Sequence, residues 1–159
     1  MSTCSYILEK SDKMKYFTDM RAIFNALDGE QNKLNWLVSD FELDYYPDKA
    51  WYGEPYVWIS GDRLTELIYQ NDIQFIWAVF SGFKKGITVD FSDRTFLPYA
   101  EGNSRLWIKE PKIQHPRAEV EIVCWDGTSS LFLSRDSDLA NKFKSYFEEA
   151  EDLREYNSK

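Results

Sequence analysis

Residues 120–133 read VEIVCWDGTSSLFL. Two apolar runs, Val120 to Trp125 and Ser129 to Leu133, flank Asp126-Gly127. Both residues of that dipeptide need or tolerate positive φ, so it signals a two-residue β-hairpin. Upstream, Ile73 to Phe80 is apolar at every position but Gln74, the look of a strand buried on both faces. Ser81 to Gly86 then reads as a turn exposing Lys84 and Lys85, after which Ile87 to Phe91 can pair back. Further out, Leu34, Trp36 and Val38 alternate with Asn35, Leu37 and Ser39, a strand with one strongly apolar face. Ser5 to Leu8, Tyr56 to Ile59 and Leu106 to Ile108 are shorter extended candidates, Ser92 to Asn103 is irregular, and Pro111 and Pro116 bracket another loop.

Three helices accompany these strands. Lys13 to Leu27 places Met14, Phe17, Met20, Ile23, Phe24 and Leu27 on one face, with Gly29 just beyond its end. Ser60 can cap Gly61 to Gln70, with Asp62 in the first turn and Asn71 as a stop. Asp136 can cap a last helix whose Leu139, Phe143, Tyr146, Phe147 and Ala150 share a face, with Lys142, Lys144, Glu148 and Glu149 opposite. The order β-α-β-β-α-β-β-β-β-β-α predicts an α+β fold: a single mixed, mostly antiparallel sheet with about three helices packed on it. Residues 1–159 form one domain, a size at which about 70% of the unfolded surface is buried. A hydrophobic fraction of 43%, with 6 Trp, 10 Tyr and 11 Phe, supplies the core. Disorder is expected only in the first few residues and in Tyr156 to Lys159.

The net charge is −8, from 27 acids against 19 Lys and Arg. That sign disfavours sequence-independent binding of nucleic acid and of anionic membrane surfaces, and it suits a basic partner. The longest apolar run is Phe75 to Phe80, too short for a spanning helix, and Glu9 and Lys10 interrupt the place of a signal peptide. Cys4 and Cys124 are far apart and form no CxxC pair, so the cytoplasm is the expected compartment.

The segment Trp36 to Ile59 carries eight rings (Trp36, Phe41, Tyr45, Tyr46, Trp51, Tyr52, Tyr56, Trp58) and five carboxylates (Asp40, Glu42, Asp44, Asp48, Glu54) against one cation, Lys49. Trp36 and Trp58 sit on strands and read as core. Tyr45, Tyr46, Trp51 and Tyr52 lie among Pro47, Gly53 and Pro55 and are harder to bury together. Tyr and Trp bring large area at low entropy cost to binding hot spots. The site reading is therefore a partner-binding surface: Asp40, Glu42, Asp44, Asp48 and Glu54 as charges, and Tyr45, Tyr46, Trp51 and Tyr52 as anchors.

Rival chemistries meet specific obstacles. An EF-hand register starting at Asp40 puts Tyr45 at the turn glycine and Trp51 at the closing Glu. His115 is the only histidine; with two scattered cysteines it leaves neither a zinc site nor a nucleophile–base pair, so no cofactor and no catalytic residue is assigned. Cys124-Trp125 lacks the glycine-rich approach of a papain-type nucleophile, and Gly82-Phe83-Lys84-Lys85-Gly86 lacks Walker spacing. The same acidic aromatic segment, 40–58, has the residue types of a carbohydrate-active enzyme or sugar-binding module, which is the principal alternative. A structural or adaptor protein, acidic for solubility, is the second.

The segments LNWLVSDF (34–41), VWISGDRLTELIYQNDIQFIWAVFSGF (57–83) and DGTSSLFLSRDSDLANKFKSYFEEAEDL (126–153) resemble small acidic bacterial proteins of uncharacterised families, several of them regarded as immunity proteins of polymorphic toxin systems. The resemblance implies a cytosolic protein that blocks a toxin domain by burying its active surface. It supplies no catalytic residue to carry over.

Overall fold

The computed structural model describes residues 3–92 and 97–159, so part of the irregular stretch read over Ser92 to Asn103 lies outside the described residues. Strands β1 (Cys4–Leu8), β2 (Leu34–Leu43), β3 (Tyr56–Ser60), β4 (Phe75–Lys84), β5 (Val120–Trp125), β6 (Ser129–Ser134) and β7 (Glu151–Asp152) form one sheet in the order β3-β2-β4-β5-β6-β1-β7. Every pairing is antiparallel. Helices α1 (Met20–Leu27), α2 (Gly61–Gln70), α3 (Ser137–Tyr146) and a short α4 (Leu153–Asn157) complete an α+β fold.

The hairpin is where the dipeptide put it. Asp126 (φ 50°) and Gly127 (φ 64°) are both left-handed, and Thr128 N–H donates to the Trp125 carbonyl at 2.8 Å. The ladder resumes at Trp125 opposite Ser129, so Thr128 is one residue more than a two-residue loop requires. Each helix N-terminus is capped by a short polar side chain: Asp19 for α1, Ser60 for α2, Asp136 for α3 and Asp152 for α4. Asn71 ends α2 as the sequence suggested.

Alternation along the strands divides the core in two. On one face Trp36, Val38, Phe80, Ile122, Cys124 and Phe132 meet Phe24 of α1, Leu64 of α2 and Phe143 of α3. Phe143 stacks on Phe132 with centroids 4.2 Å apart and planes 5° from parallel. On the other face Leu37, Val79, Phe83, Val123, Leu131 and Leu133 are covered by Ala100, Leu106, Ile113 and Ala118 of the β4–β5 connection, and by Leu153 of α4. Among the described residues the β4–β5 part of this cover includes one turn of 3₁₀ helix, Ser104–Trp107.

Several boundaries differ from the sequence reading. β4 continues to Lys84 because Gly82 lies directly opposite Trp36 in the ladder. A Cβ at Gly82 would sit 2.7 Å from Val120 Cγ1 and 3.1 Å from Trp36 Cη2, so the missing side chain is what lets the indole lie across the sheet. The first helix begins at Met20, where Asp19 accepts the Ala22 N–H, and Phe17 is 49% exposed. Ile87 to Phe91 forms no strand, and Leu106 belongs to the 3₁₀ turn. α3 stops at Tyr146, with buried Phe147 as its cap. The C-terminus is ordered by contact: Asn157 Nδ2 donates to the carbonyls of Leu106 (3.0 Å) and Ile108 (2.8 Å).

Phe143→Ala should cost about 3–5 kcal/mol, the range for emptying a large aromatic site. Lys142→Ala, whose ammonium makes only an exposed pair with Asp28 at 3.8 Å, should stay within about 0.5 kcal/mol. Chemical denaturation of both variants checks the helical phase. Gly82→Ala should cost about 1–3 kcal/mol by overpacking against Trp36 and Val120, and the paired variant Gly82→Ala with Val120→Ala should recover part of that loss in the same measurement.

Candidate functional site

Polar side chains gather at the β2–β3 connection, which the sequence pointed to, and at a cleft in the β4–β5 connection, which it did not.

The β2–β3 connection grows out of a bulge. The register passes from Ser39 opposite Val79 to Glu42 opposite Trp77, so Asp40 and Phe41 face a single residue on β4. Asp40 takes φ 49°, a left-handed position that a short polar side chain tolerates. The bulge turns its carboxylate away from those of Glu42 and Asp44 and toward the β4–β5 connection. There Oδ2 accepts the N–H groups of Ala100 (2.8 Å) and Glu101 (2.9 Å). The three alternate acids are therefore not one face, and the Asp40 carboxylate is occupied as a clamp.

Beyond the bulge the loop is rooted in the core. Trp51 is only 3% exposed and meets Phe41 edge-on at 5.3 Å. It is not available as a surface anchor, because the 3₁₀ turn Lys49–Trp51, capped by Asp48 Oδ1 on the Ala50 N–H at 2.9 Å, swings its indole inward. Tyr46 is half-buried, and its hydroxyl accepts the Leu43 N–H at 3.3 Å. Asp44 Oδ1 accepts the Gln74 N–H at 2.9 Å. The rings that reach solvent are Tyr45 (57% exposed) and Tyr52 (75%), the latter edge-on to Tyr46 at 5.5 Å. Glu42, Asp44, Asp48 and Glu54 are all exposed around them. A shallow hollow of about 190 Å³ against α2 brings Arg63 and Glu66 beside Asp48, adding a cation that lies far away in sequence. Trp58, read as core, is 37% exposed on edge strand β3 and packs on Phe83 and Phe91.

The second place lies over the other face of the sheet. A cleft of about 380 Å³ is lined by Tyr99, Asn103, Arg105, Ile108, Glu110 and Gln114 among others. Its floor is a closed hydrogen-bond network. Gln114 Oε1 accepts from the Tyr99 N–H (2.9 Å) and Asn103 Nδ2 (3.1 Å), and its Nε2 donates to the Tyr99 carbonyl (3.1 Å). Below it, Glu121 on β5 is fully buried, and its Oε1 accepts the Gln114 N–H at 2.9 Å. Glu121 stands opposite Ser81 on β4 and Leu133 on β6. Burial raises its carboxyl from an ordinary value near 4.5 to about 7, against the smaller opposing effects of the Gln114 hydrogen bonds and the Arg135 charge. The Arg135 guanidinium holds the Pro116 carbonyl (3.1 Å) and that of Ala118. Sequence reasoning passed over Glu121 because an isolated acid in an apolar run carries no motif. Its one signal was a carboxylate alternating into the face that Val123 and Leu133 make apolar.

His115 accepts the Arg117 N–H on Nδ1 at 3.1 Å and sits edge-on to Phe83; burial lowers its pKa. Cys124 is buried, and burial pushes its thiol up. Among the described residues no three His, Cys, Asp or Glu side chains converge as metal ligands, and no helix is long and apolar enough to cross a membrane.

Glu121 predicts a pH dependence. Between about 4.5 and 7 the unfolded chain has released this proton and the folded chain retains it, so stability falls as pH rises through that window. The contribution is absent below 4.5 and complete above 7, at about 3 kcal/mol. Glu121→Gln should gain on the wild type by a comparable amount between pH 4.5 and 8, measured as the difference of their denaturation free energies at each pH.

Comparison with protein-family models, with curated proteins and with solved structures finds no match to this chain.

Proposed function

We propose that this chain is a non-enzymatic acidic protein-binding module acting in the cytosol, and that it holds a basic partner through the β2–β3 connection, as an immunity-type inhibitor covers a toxin domain. One observation carries this reading: Tyr45 and Tyr52 stand exposed among the exposed carboxylates of Glu42, Asp44, Asp48 and Glu54, while Trp51 fixes the loop that bears them to the core. Rings held on a rooted loop lose little conformational freedom on docking, and preorganisation of this kind raises affinity. A net charge of −8 supplies the field that draws a basic surface in. The hollow that this segment lines, about 190 Å³, is smaller than the roughly 300 Å³ at which ligand pockets begin, which favours contact with another surface over enclosure of a sugar.

The placement of the residues selects the probes. Glu42 and Glu54 are exposed and make no side-chain hydrogen bond or ion pair among the described residues, so Glu42→Gln with Glu54→Gln removes charge without removing support. Asp44 and Asp48 hold backbone N–H groups and are poorer probes. Trp51→Ala is a stability variant, since it empties a core site. The protein is used to capture basic partners from lysate of its source cell, and kinetics are then measured on the protein retained. The double Gln variant should slow association, with the deficit shrinking as salt rises. Tyr52→Ala should speed dissociation about tenfold while the fold is kept. Unchanged kinetics in both folded variants would move the interface elsewhere, and capture of an oligosaccharide and no protein would transfer the site to the carbohydrate reading.

A further inference from the structure

The cleft in the β4–β5 connection is built differently from the acidic loop. Its volume of about 380 Å³ lies within the roughly 300–1,000 Å³ of small-molecule sites. Its floor is rigid, because every polar atom of the Gln114 side chain is already engaged by Tyr99, Asn103 or the buried Glu121. Gln114 is thus a strut, and recognition is left to the rim. The rim carries Arg105, Lys112 and Glu110, all exposed, and none of the three forms an ion pair among the described residues. Two cations against one acid reverse, at this mouth, the sign of a chain whose net charge is −8. Beside them Tyr99 and Ile108 are 47% and 50% exposed, two large apolar side chains facing solvent at a concave place.

We propose that this cleft binds a small organic anion, a carboxylate or phosphate carried on a flat apolar body, with Arg105 and Lys112 taking the anionic group and Tyr99 and Ile108 the body. Arg105 is the principal recognition residue, because a guanidinium presents two parallel N–H donors to the two oxygens of either anion, whereas Lys112 contributes a point charge. Glu110 opposes the ligand's charge and sets an upper bound on how highly charged it can be. The site is independent of the protein-binding surface proposed above: it uses none of those residues and lies over the other face of the sheet.

The test is a titration of the full-length protein followed by NMR, reading the Tyr99 and Ile108 resonances. Four probes are used: phenyl phosphate, benzoate, inorganic phosphate and benzylamine. Phenyl phosphate or benzoate should give saturable shifts at those two residues, and the tighter of the two identifies the anionic group. Inorganic phosphate, which has no body, should bind at least about tenfold more weakly. Benzylamine, with the same body and the opposite charge, should not saturate. Arg105→Ala should weaken the preferred anion by about tenfold or more, and Glu110→Gln should tighten it. Arg105→Lys, which keeps the charge and loses the fork, should fall between wild type and alanine. Absence of saturable shifts with both aromatic anions up to about 10 mM, well above the affinity range of specific small ligands, overturns the proposal. So does equal binding of benzylamine, or undiminished binding by a folded Arg105→Ala variant.

Discussion

The structure depends on one constraint: its central strands are apolar on both faces. Ala78, Phe80, Ile122 and Cys124 point to one side, and Val79, Val123 and Leu131 to the other. An antiparallel sheet can leave one face to water, and this one does not. Three helices cover the first face, and the second is left to Leu153 of α4 and to the β4–β5 connection, whose described residues form little regular structure. Such a segment carries backbone N–H and C=O groups that must still find partners. The sheet and its margins provide them. Asp40 takes the N–H groups of Ala100 and Glu101, the Ser39 hydroxyl donates to the Pro98 carbonyl at 2.7 Å, Glu121 takes the Gln114 N–H, and Arg135 takes the carbonyls of Pro116 and Ala118. The polar residues under the β4–β5 connection act as hooks that fix its path.

The hooks differ in cost. Asp40 sits at the margin, half-buried, and its bulge orients the carboxylate without removing it from water. Glu121 is in the middle of the sheet, where charging it is opposed by desolvation and aided only by Gln114 and the distant field of Arg135. In exchange it specifies what lies above it. A segment offering an N–H donor and a side-chain amide at that point satisfies the carboxyl, and an apolar segment leaves it without partners.

The two polar regions have opposite electrostatic character in one small molecule. The β2–β3 connection adds exposed carboxylates to an already acidic chain, so its field extends the general one. At the cleft, Arg105 and Lys112 outnumber Glu110, and exposed charges act over a screening length of about 8–10 Å in physiological salt. The bulge at Asp40 links them physically, since the strand that launches the acidic loop also pins Ala100 and Glu101, next to Tyr99 of the cleft. Trp51 does the corresponding service for the loop from the helix-covered side.

The sequence by itself determined what depends on near neighbours along the chain. The Asp126-Gly127 turn, the caps at Ser60 and Asp136 and the stop at Asn71 were legible, because hydrogen bonds and φ values within a few residues decide them, and so was the two-sided burial within Phe75 to Phe80, from its unbroken apolar run. What was decided only in three dimensions involves residues far apart in the chain. Gly82 extends β4 because Trp36 lies across from it, and Asp40 leaves its row of acids because Ala100 offers it donors. Trp51 turns inward because Phe41 and the helix-side core have room for it. The acidic aromatic segment could be located from composition, but which of its rings face water could not. Burial of a side chain is set by what packs against it, and across a sheet that is supplied by strands and loops tens of residues away. The cleft was illegible for the same reason: Tyr99, Arg105, Lys112 and Gln114 carry no motif, and they become a site only when a carboxyl on β5 holds the chain that bears them in place.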